Sequence, residues 1–307
     1  MSGTLSHLVE TSKLFETKRV GVGNNARPPS WIGRPLGKWS KRAAACVLGI
    51  ELIFSAMAET SAQKMLPTMI VPQAKKAPAV MAVADDSAWS AALWTTLQPS
   101  RGERSLTNEA LTTEVAAQWD ERFLYVRFRA RGLGVSAHGN QHDASHHEGE
   151  VVEVFLDATV NQRGFVELQL SPAGGVLDKL WTLKTPIESD ADGVLTTDYI
   201  RNKQHEDLGW TLMGLRTAAK EWKPENRIVG WIADFAIPWA SVPHGSIAIG
   251  ARLRAHFLRL SRASMDVTSS SFTWAPVPVG RPHRAPALMG ILELAPPSAP
   301  APAKGNS

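Results

Sequence analysis

Alternation of apolar and polar residues with a period of two is the feature that most restricts what this chain can become. Leu124, Val126, Phe128 and Ala130 alternate with Tyr125, Arg127, Arg129 and Arg131. On a pleated strand that pattern sends one set into a core and the other to the opposite face. Val152, Val154 and Leu156 alternate in the same way with Glu153, Phe155 and Asp157. Phe165 to Leu170 follows, closed by Ser171-Pro172, and the turn Gly174-Gly175 leads into Val176–Leu183. Further candidate strands are Leu212–Leu215, Ile228–Ile237, Arg252–Leu260, Ser271–Trp274 and Gly290–Leu294. Helical periodicity over twelve or more residues is absent outside the first sixty or so. About ten short strands separated by turns predict an all-β chain, a two-sheet antiparallel sandwich of jelly-roll or immunoglobulin-like type. In Arg252–Arg262 the alternation slips near Phe257, which either a bulge or a stretch buried on both faces would produce.

The pI of 9.3 raises the question of a polyanionic partner, so the charge has to be located. Residues 1–62 hold eight Lys and Arg against four acids; of the totals of 33 and 29, this leaves 25 basic and 25 acidic residues for the remainder. The body is neutral, which argues against nucleic acid as a partner. The basic segment has the parts of a secretory signal. Trp39-Ser40-Lys41-Arg42 precedes a mostly apolar run from Ala43 to Ala58, and Thr60-Ser61-Ala62 supplies small residues for cleavage. The run is short of the ~20 residues that span a bilayer, so membrane contact is expected only through this leader if it stays uncleaved. Glu51 interrupts the run and some forty residues precede it, as in an upstream-assigned start codon or a long n-region. Cys46, the one cysteine, lies inside the leader, so the exported chain would have no disulfide and no thiolate chemistry. The expected organisation is a leader over 1–62, an Ala/Pro/Lys-rich linker or entering arm over 63–81, one sandwich over 82–294, and a Pro/Ala tail over 295–307. The expected location is secreted or periplasmic.

Six segments in order carry a family likeness. They are Asp85-Asp86-Ser87-Ala88-Trp89, Thr113 to Val126 with its Trp119-Asp120-Glu121 turn, Glu150 to Asp157, Ala236-Ile237-Pro238-Trp239, Arg254 to Arg259, and Pro282 to Leu292. Together they resemble the family 9 carbohydrate-binding modules and the wider DOMON-like sandwiches. The resemblance implies a non-catalytic module that grips a carbohydrate, oligosaccharide or polysaccharide, and serves polysaccharide breakdown beside glycoside hydrolases. In such modules two aromatic rings cover the apolar face of a sugar while polar groups between them take its hydroxyls. Matched by position, the two ring sites fall on His147 and His283, where tryptophans are expected. Glu153 matches a polar contact, Gln169 lies on the next strand where an arginine is expected, and Arg284 follows His283 in the closing segment. The smaller imidazoles imply a weaker or redirected grip, a charged ligand, or a scaffold that has lost binding. For Glu153 the alternative is an outward residue paired with Arg127 or Arg129 across a sheet.

The densest polar stretch, Ala137–Glu150, holds His138, His142, Asp143, His146, His147, Glu148 and Glu150. Its imidazoles and carboxylates suit a transition metal, with His138, His142, Asp143 and His146 as candidates, but the spacing matches no fixed signature and an exposed polar loop reads equally well. No cofactor is certain. The resemblance implies that a structural Ca2+ is possible, for which Asp190-Ala191-Asp192-Gly193 is a candidate loop against the plainer reading of a turn. Arg127, Arg129 and Arg131 are expected as an outward basic row, either balanced by acids or facing an anionic polysaccharide. Trp119, Trp210, Trp231 and Trp239 fit a sandwich core, leaving Trp181 and Trp274 as candidate exposed platforms. A DOMON-like haem domain is the second reading, with Met213, Met265 or Met289 as axial ligands. An enzyme is the third, although no motif pairs two acids for glycoside hydrolysis, and neither a Gly-x-Ser-x-Gly elbow nor a phosphate loop is present.

Overall fold

The computed structural model describes residues 66–297 apart from 85, 91, 103–110, 135, 244–246, 263–268 and 279–281. The leader with Cys46, Met265 and the tail from 298 lie outside the described residues. Fourteen strands occur among those described. They are β1 (Thr68–Pro72), β2 (Thr95–Thr96), β3 (Gln98–Pro99), β4 (Thr113–Trp119), β5 (Phe123–Arg131), β6 (Val151–Asp157) and β7 (Gly164–Leu170), then β8 (Val176–Leu183), β9 (Gln204–Asp207), β10 (Arg216–Trp222), β11 (Gly230–Pro238), β12 (Arg252–Ser261), β13 (Ser270–Thr273) and β14 (Gly290–Ala295). One sheet runs β1-β14-β12-β6-β7-β8-β9, with β13 on β12 and β3 on β13; the other runs β10-β11-β5-β4-β2. Neighbouring strands are antiparallel except β1 and β14, which are parallel.

The core lies between these sheets, and the period-two alternation fills it as expected. Val115, Val126 and Phe128 from one sheet meet Val152, Val154 and Phe257 from the other. Phe128 packs edge-on against Phe257 at 6.0 Å between ring centres, a favoured geometry that adds to the roughly 1.5–3 kcal/mol from burying each such side chain. Trp119, Trp231 and Trp239 are buried in this core and Trp210 packs half-buried against it. The slip near Phe257 is a stretch buried on both faces, because the β12–β6 register runs unbroken from Arg254↔Asp157 to Leu260↔Val151. Residues 63–81 contain more than an arm: β1 inserts Met69 and Val71 into the core and leaves Ile70 exposed, so the sandwich starts before Ala82. The Ala/Pro/Lys composition around β1 hides a strand of only five residues.

Both outer faces are partly covered, which corrects two expectations. Arg127, Arg129 and Arg131 do not form an outward basic row. Segment 80–94 lies over that face, packing Val80, Trp89, Ala92 and Trp94 against Ala116, Phe123, Tyr125 and Ala236. Arg127 is fully buried and clamps Asp234 of the adjacent strand at 2.6 and 2.7 Å. Arg129 lies over the Trp94 ring at 3.9 Å and Arg131 over Trp222 at 5.1 Å. Neither Trp181 nor Trp274 is an exposed platform: they are 7% and 9% accessible, and Trp274 packs in the main core on Phe257. The outer face of the larger sheet is roofed by α1 (Thr197–Lys203), capped by the Thr196 hydroxyl, and by the chain around Met289. Leu195, Tyr199 and Met289 close over Phe155, Phe165 and Trp181.

Candidate functional site

Beside that roof the larger sheet keeps an open cleft of about 180 Å³. Strand register builds its floor: Leu258, Glu153 and Gln169 are direct neighbours across β12, β6 and β7, and Glu167 is paired with Lys179 across β7 and β8. By alternation these side chains share the face turned away from the core. His147 reaches the cleft from the loop before β6, and His283 from the short turn Pro282–Arg284 before β14. Leu258, Leu260, Ser271 and Pro282 supply the rest of its lining. Four residues matched by family position, His147, Glu153, Gln169 and His283, therefore meet in one place although 136 positions separate the first from the last. Arg284 does not line the cleft; its Nε donates to His283 Nε2 at 3.2 Å. Glu153 pairs with neither Arg127 nor Arg129, which belong to the other sheet.

Glu167, Lys179 and Trp181 are the participants that sequence reasoning missed in this role. Glu167 is saturated: Gln169 Nε2 donates at 2.8 Å, Trp181 Nε1 at 2.7 Å, and Lys179 Nζ lies 3.3 Å away. Lys179 also bonds Glu206 at 2.7 Å. Burial opposes charge on Lys179, but Glu167 and Glu206 outweigh it and hold the amine above its ordinary value. The Glu153 carboxylate has no hydrogen-bond partner among the described residues and is 2% accessible. Burial first, then the neighbouring Glu167, push it well above the usual carboxylate range, with Lys179 pulling the other way. Trp181 backs His283, the rings stacked at 4.9 Å and 5°. One imidazole face is thus taken and Nε2 accepts from Arg284, so the other face remains for a ligand. Burial lowers His283 to about 4, reinforced by Arg284, Lys179 and His147, so the ring is neutral at physiological pH. The signal for these residues was the alternation Lys179, Trp181 against Asp178, Leu180 on β8, opposite Glu167 of β7.

The cleft combines the neutral His283 ring, the His147 imidazole, an unpaired carboxyl, and an amide with a free acceptor, since Gln169 Oε1 has no partner. Such a set suits a neutral ligand whose groups both give and take hydrogen bonds.

The four metal candidates do not converge. His138 pairs with Glu148 at 3.2 Å. His146 is fully buried, its Nε2 on the Gln141 carbonyl at 2.9 Å, and burial lowers its pKa. His142 and Asp143 instead meet Asp178, which the sequence reading did not include. The acidic loop considered for calcium is closed on itself: Asp190 Oδ1 accepts the Asp192 and Val194 amides, and Asp192 pairs with Arg101. That loop has the hydrogen bonding of a turn. Met213 is 71% accessible and Met289 is buried beside Trp181.

No family model matches the sequence, and no curated protein matches it. Solved structures do. A family 9 carbohydrate binding module from Caldicellulosiruptor kristjanssonii in complex with cellotriose is 14% identical, spanning 78% of this chain and all of that one with a TM-score of 0.52. The module from the same organism in complex with glucose is also 14% identical, spanning 76% and 99% at a TM-score of 0.50. A candidate carbohydrate-binding protein from Bacteroides uniformis is 13% identical, spanning 75% and 99% at a TM-score of 0.54. At these identities the likeness is one of fold alone, a two-sheet β-sandwich.

Proposed function

We propose that the chain is an exported, non-catalytic carbohydrate-binding module whose site is the cleft holding His147, Glu153, Gln169 and His283, and that it serves polysaccharide breakdown as a binding partner of hydrolytic enzymes. One observation carries the reading. Residues matched to the family's sugar-gripping positions from separate segments line one cleft, on a fold shared with modules bound to glucose and cellotriose. The donors and acceptors there complement sugar hydroxyls, and the stacked His283 over Trp181 offers a flat neutral surface to a pyranose C–H face. Export is supported by the leader pattern of Lys41 to Ala62.

Glucose, cellotriose and a panel of polysaccharides tested by calorimetry and affinity electrophoresis check this directly. We expect retention on at least one glycan and its loss in a His147→Ala, His283→Ala double variant. No retention on any glycan refutes the binding role; retention that survives the double variant refutes the site. Fractionation of cells carrying the full-length chain tests export, with a purely cytoplasmic product refuting it.

A further inference from the structure

Asp178 has a buried carboxyl oxygen that the fold leaves unmatched. It lies on β8 with 2% accessibility, on the face opposite Lys179 and Trp181 and therefore on the core side with Val176 and Leu180. Its Oδ2 accepts the Leu212 amide, whereas Oδ1 is buried without a hydrogen-bond partner. A buried carboxylate oxygen left unmatched costs free energy and needs a reason. The group in front of it is His142 Nε2, 3.6 Å away. That is too long for a hydrogen bond. It is close to the roughly 3.4 Å between two ligands of a tetrahedral ion held at ~2.1 Å.

A second carboxylate meets the other nitrogen of the same imidazole, where it can orient the ring. Asp143 Oδ2 lies 2.9 Å from His142 Nδ1, and one ligand atom from each of His142, Asp143 and Asp178 falls within 4.8 Å of the others. The loop that brings them is pinned. Asp143, at φ 57°, donates its amide to the Val176 carbonyl, and buried His146 holds the Gln141 carbonyl. Asp178 itself is fixed by Leu212, the kind of outer hydrogen bond that orients a metal-ligating carboxylate.

We propose that His142, Asp143 and Asp178 form a binding site for a divalent transition metal of the zinc class. An imidazole nitrogen facing a buried carboxylate oxygen, with a second carboxylate on the ring's other nitrogen, favours zinc-class ions over calcium, which prefers six to eight oxygens. Exposure of His142 leaves remaining positions to water. The site lies across the sheet from the sugar cleft but shares a loop with it, five residues before His147. A bound ion would tie that loop to β8 and steady the His147 side of the cleft.

Zinc titrated into the full-length, chelator-treated protein tests this by calorimetry at pH 7.5, with Ca2+ and Mg2+ for comparison. The expected result is saturable one-to-one zinc binding, at least tenfold weaker in His142→Ala and in Asp178→Asn, unchanged in His138→Ala, and absent for Ca2+ and Mg2+. His142→Ala alters an exposed side chain, so it carries the test if Asp178→Asn fails to fold. Wild type without saturable zinc binding, or binding that persists in His142→Ala, overturns the proposal; both leave the sugar cleft untouched.

Discussion

Replacing Asp234 by Asn probes how the larger part of one outer face is held. Asp234 receives Arg127 Nε and Nη2 at 2.6 and 2.7 Å, and its Oδ2 also accepts the amides of Ala82 at 2.7 Å and Met81 at 3.2 Å. Arg127 in turn donates to the Val83 carbonyl at 2.9 Å and lies 4.9 Å over Trp89. The pair therefore fastens segment 80–94 to the sheet as well as β5 to β11. Both side chains are essentially inaccessible, so the variant leaves a buried guanidinium short of its counter-charge. Breaking a buried pair from one side costs about 3–5 kcal/mol. Asp86, 3.7 Å from Nη2, offsets part of it and favours the lower end. At ~2–4 °C per kcal/mol for a domain of this size, the melting temperature should fall by about 6–20 °C. Urea unfolding followed by tryptophan emission gives the free energy, and limited proteolysis should show earlier cutting within 80–94. An Arg127→Met, Asp234→Leu double variant should recover part of the loss, because neither charge is then stranded although the Met81 and Ala82 amides and the Val83 carbonyl lose their partners. A loss under about 1 kcal/mol, the scale of an exposed bridge, or a double variant as unstable as the single one, refutes the reasoning.

Three further outcomes are expected. In Gly175→Ala the new Cβ would lie 2.3 Å from His146 Cε1 and 2.6 Å from the Gly139 carbonyl, so overpacking should cost roughly 1–3 kcal/mol by chemical denaturation; unchanged stability contradicts the contact. His256 is lowered from 6.5 to about 3 by burial, so the unfolded chain takes up a proton first and stability drains as pH falls from 6.5 towards 3. The drain amounts to at most roughly 5 kcal/mol at ~1.4 kcal/mol per tenfold, and His256→Gln should flatten it; parallel stability curves for the two proteins would be incompatible with this. Glu153 is raised, so its contribution is complete below 4.5 and is lost as pH climbs through the higher folded value. Glu153→Gln should accordingly be the more stable protein on the alkaline side in melting scans, and identical slopes would contradict it.

Much of this arrangement could be read from residue order, because period-two alternation depends only on neighbours along the chain. The core faces of β5, β6 and β12 are of that kind, whereas His147, Glu153, Gln169 and His283 are singled out by the family resemblance alone and by no periodicity. Alternation names the two faces of a strand without saying what lies on them. Arg127 looked outward because the segment that covers it is some forty residues upstream. Trp181 was misread for the same reason, its face being filled by His283 from a turn about a hundred residues later. Asp178 joins His142 only through strand pairing of β7 with β8, which brings the Gly174-Gly175 turn against the histidine loop. β1 escaped notice because five residues are too few to display a period.

The parallel pairing of β1 with β14 has a mechanical meaning. Thr68 faces Ile291 and Pro72 faces Ala295, so the strand that opens the described sandwich and the strand that closes it run the same way, side by side. Tension applied through the chain ahead of Thr68 and the chain beyond Ala295 pulls these two strands in opposite senses along their own axes. All the hydrogen bonds between them are then loaded together in shear instead of being peeled one at a time. A module tethered by both ends would resist being drawn open at the very seam where its chain enters and leaves.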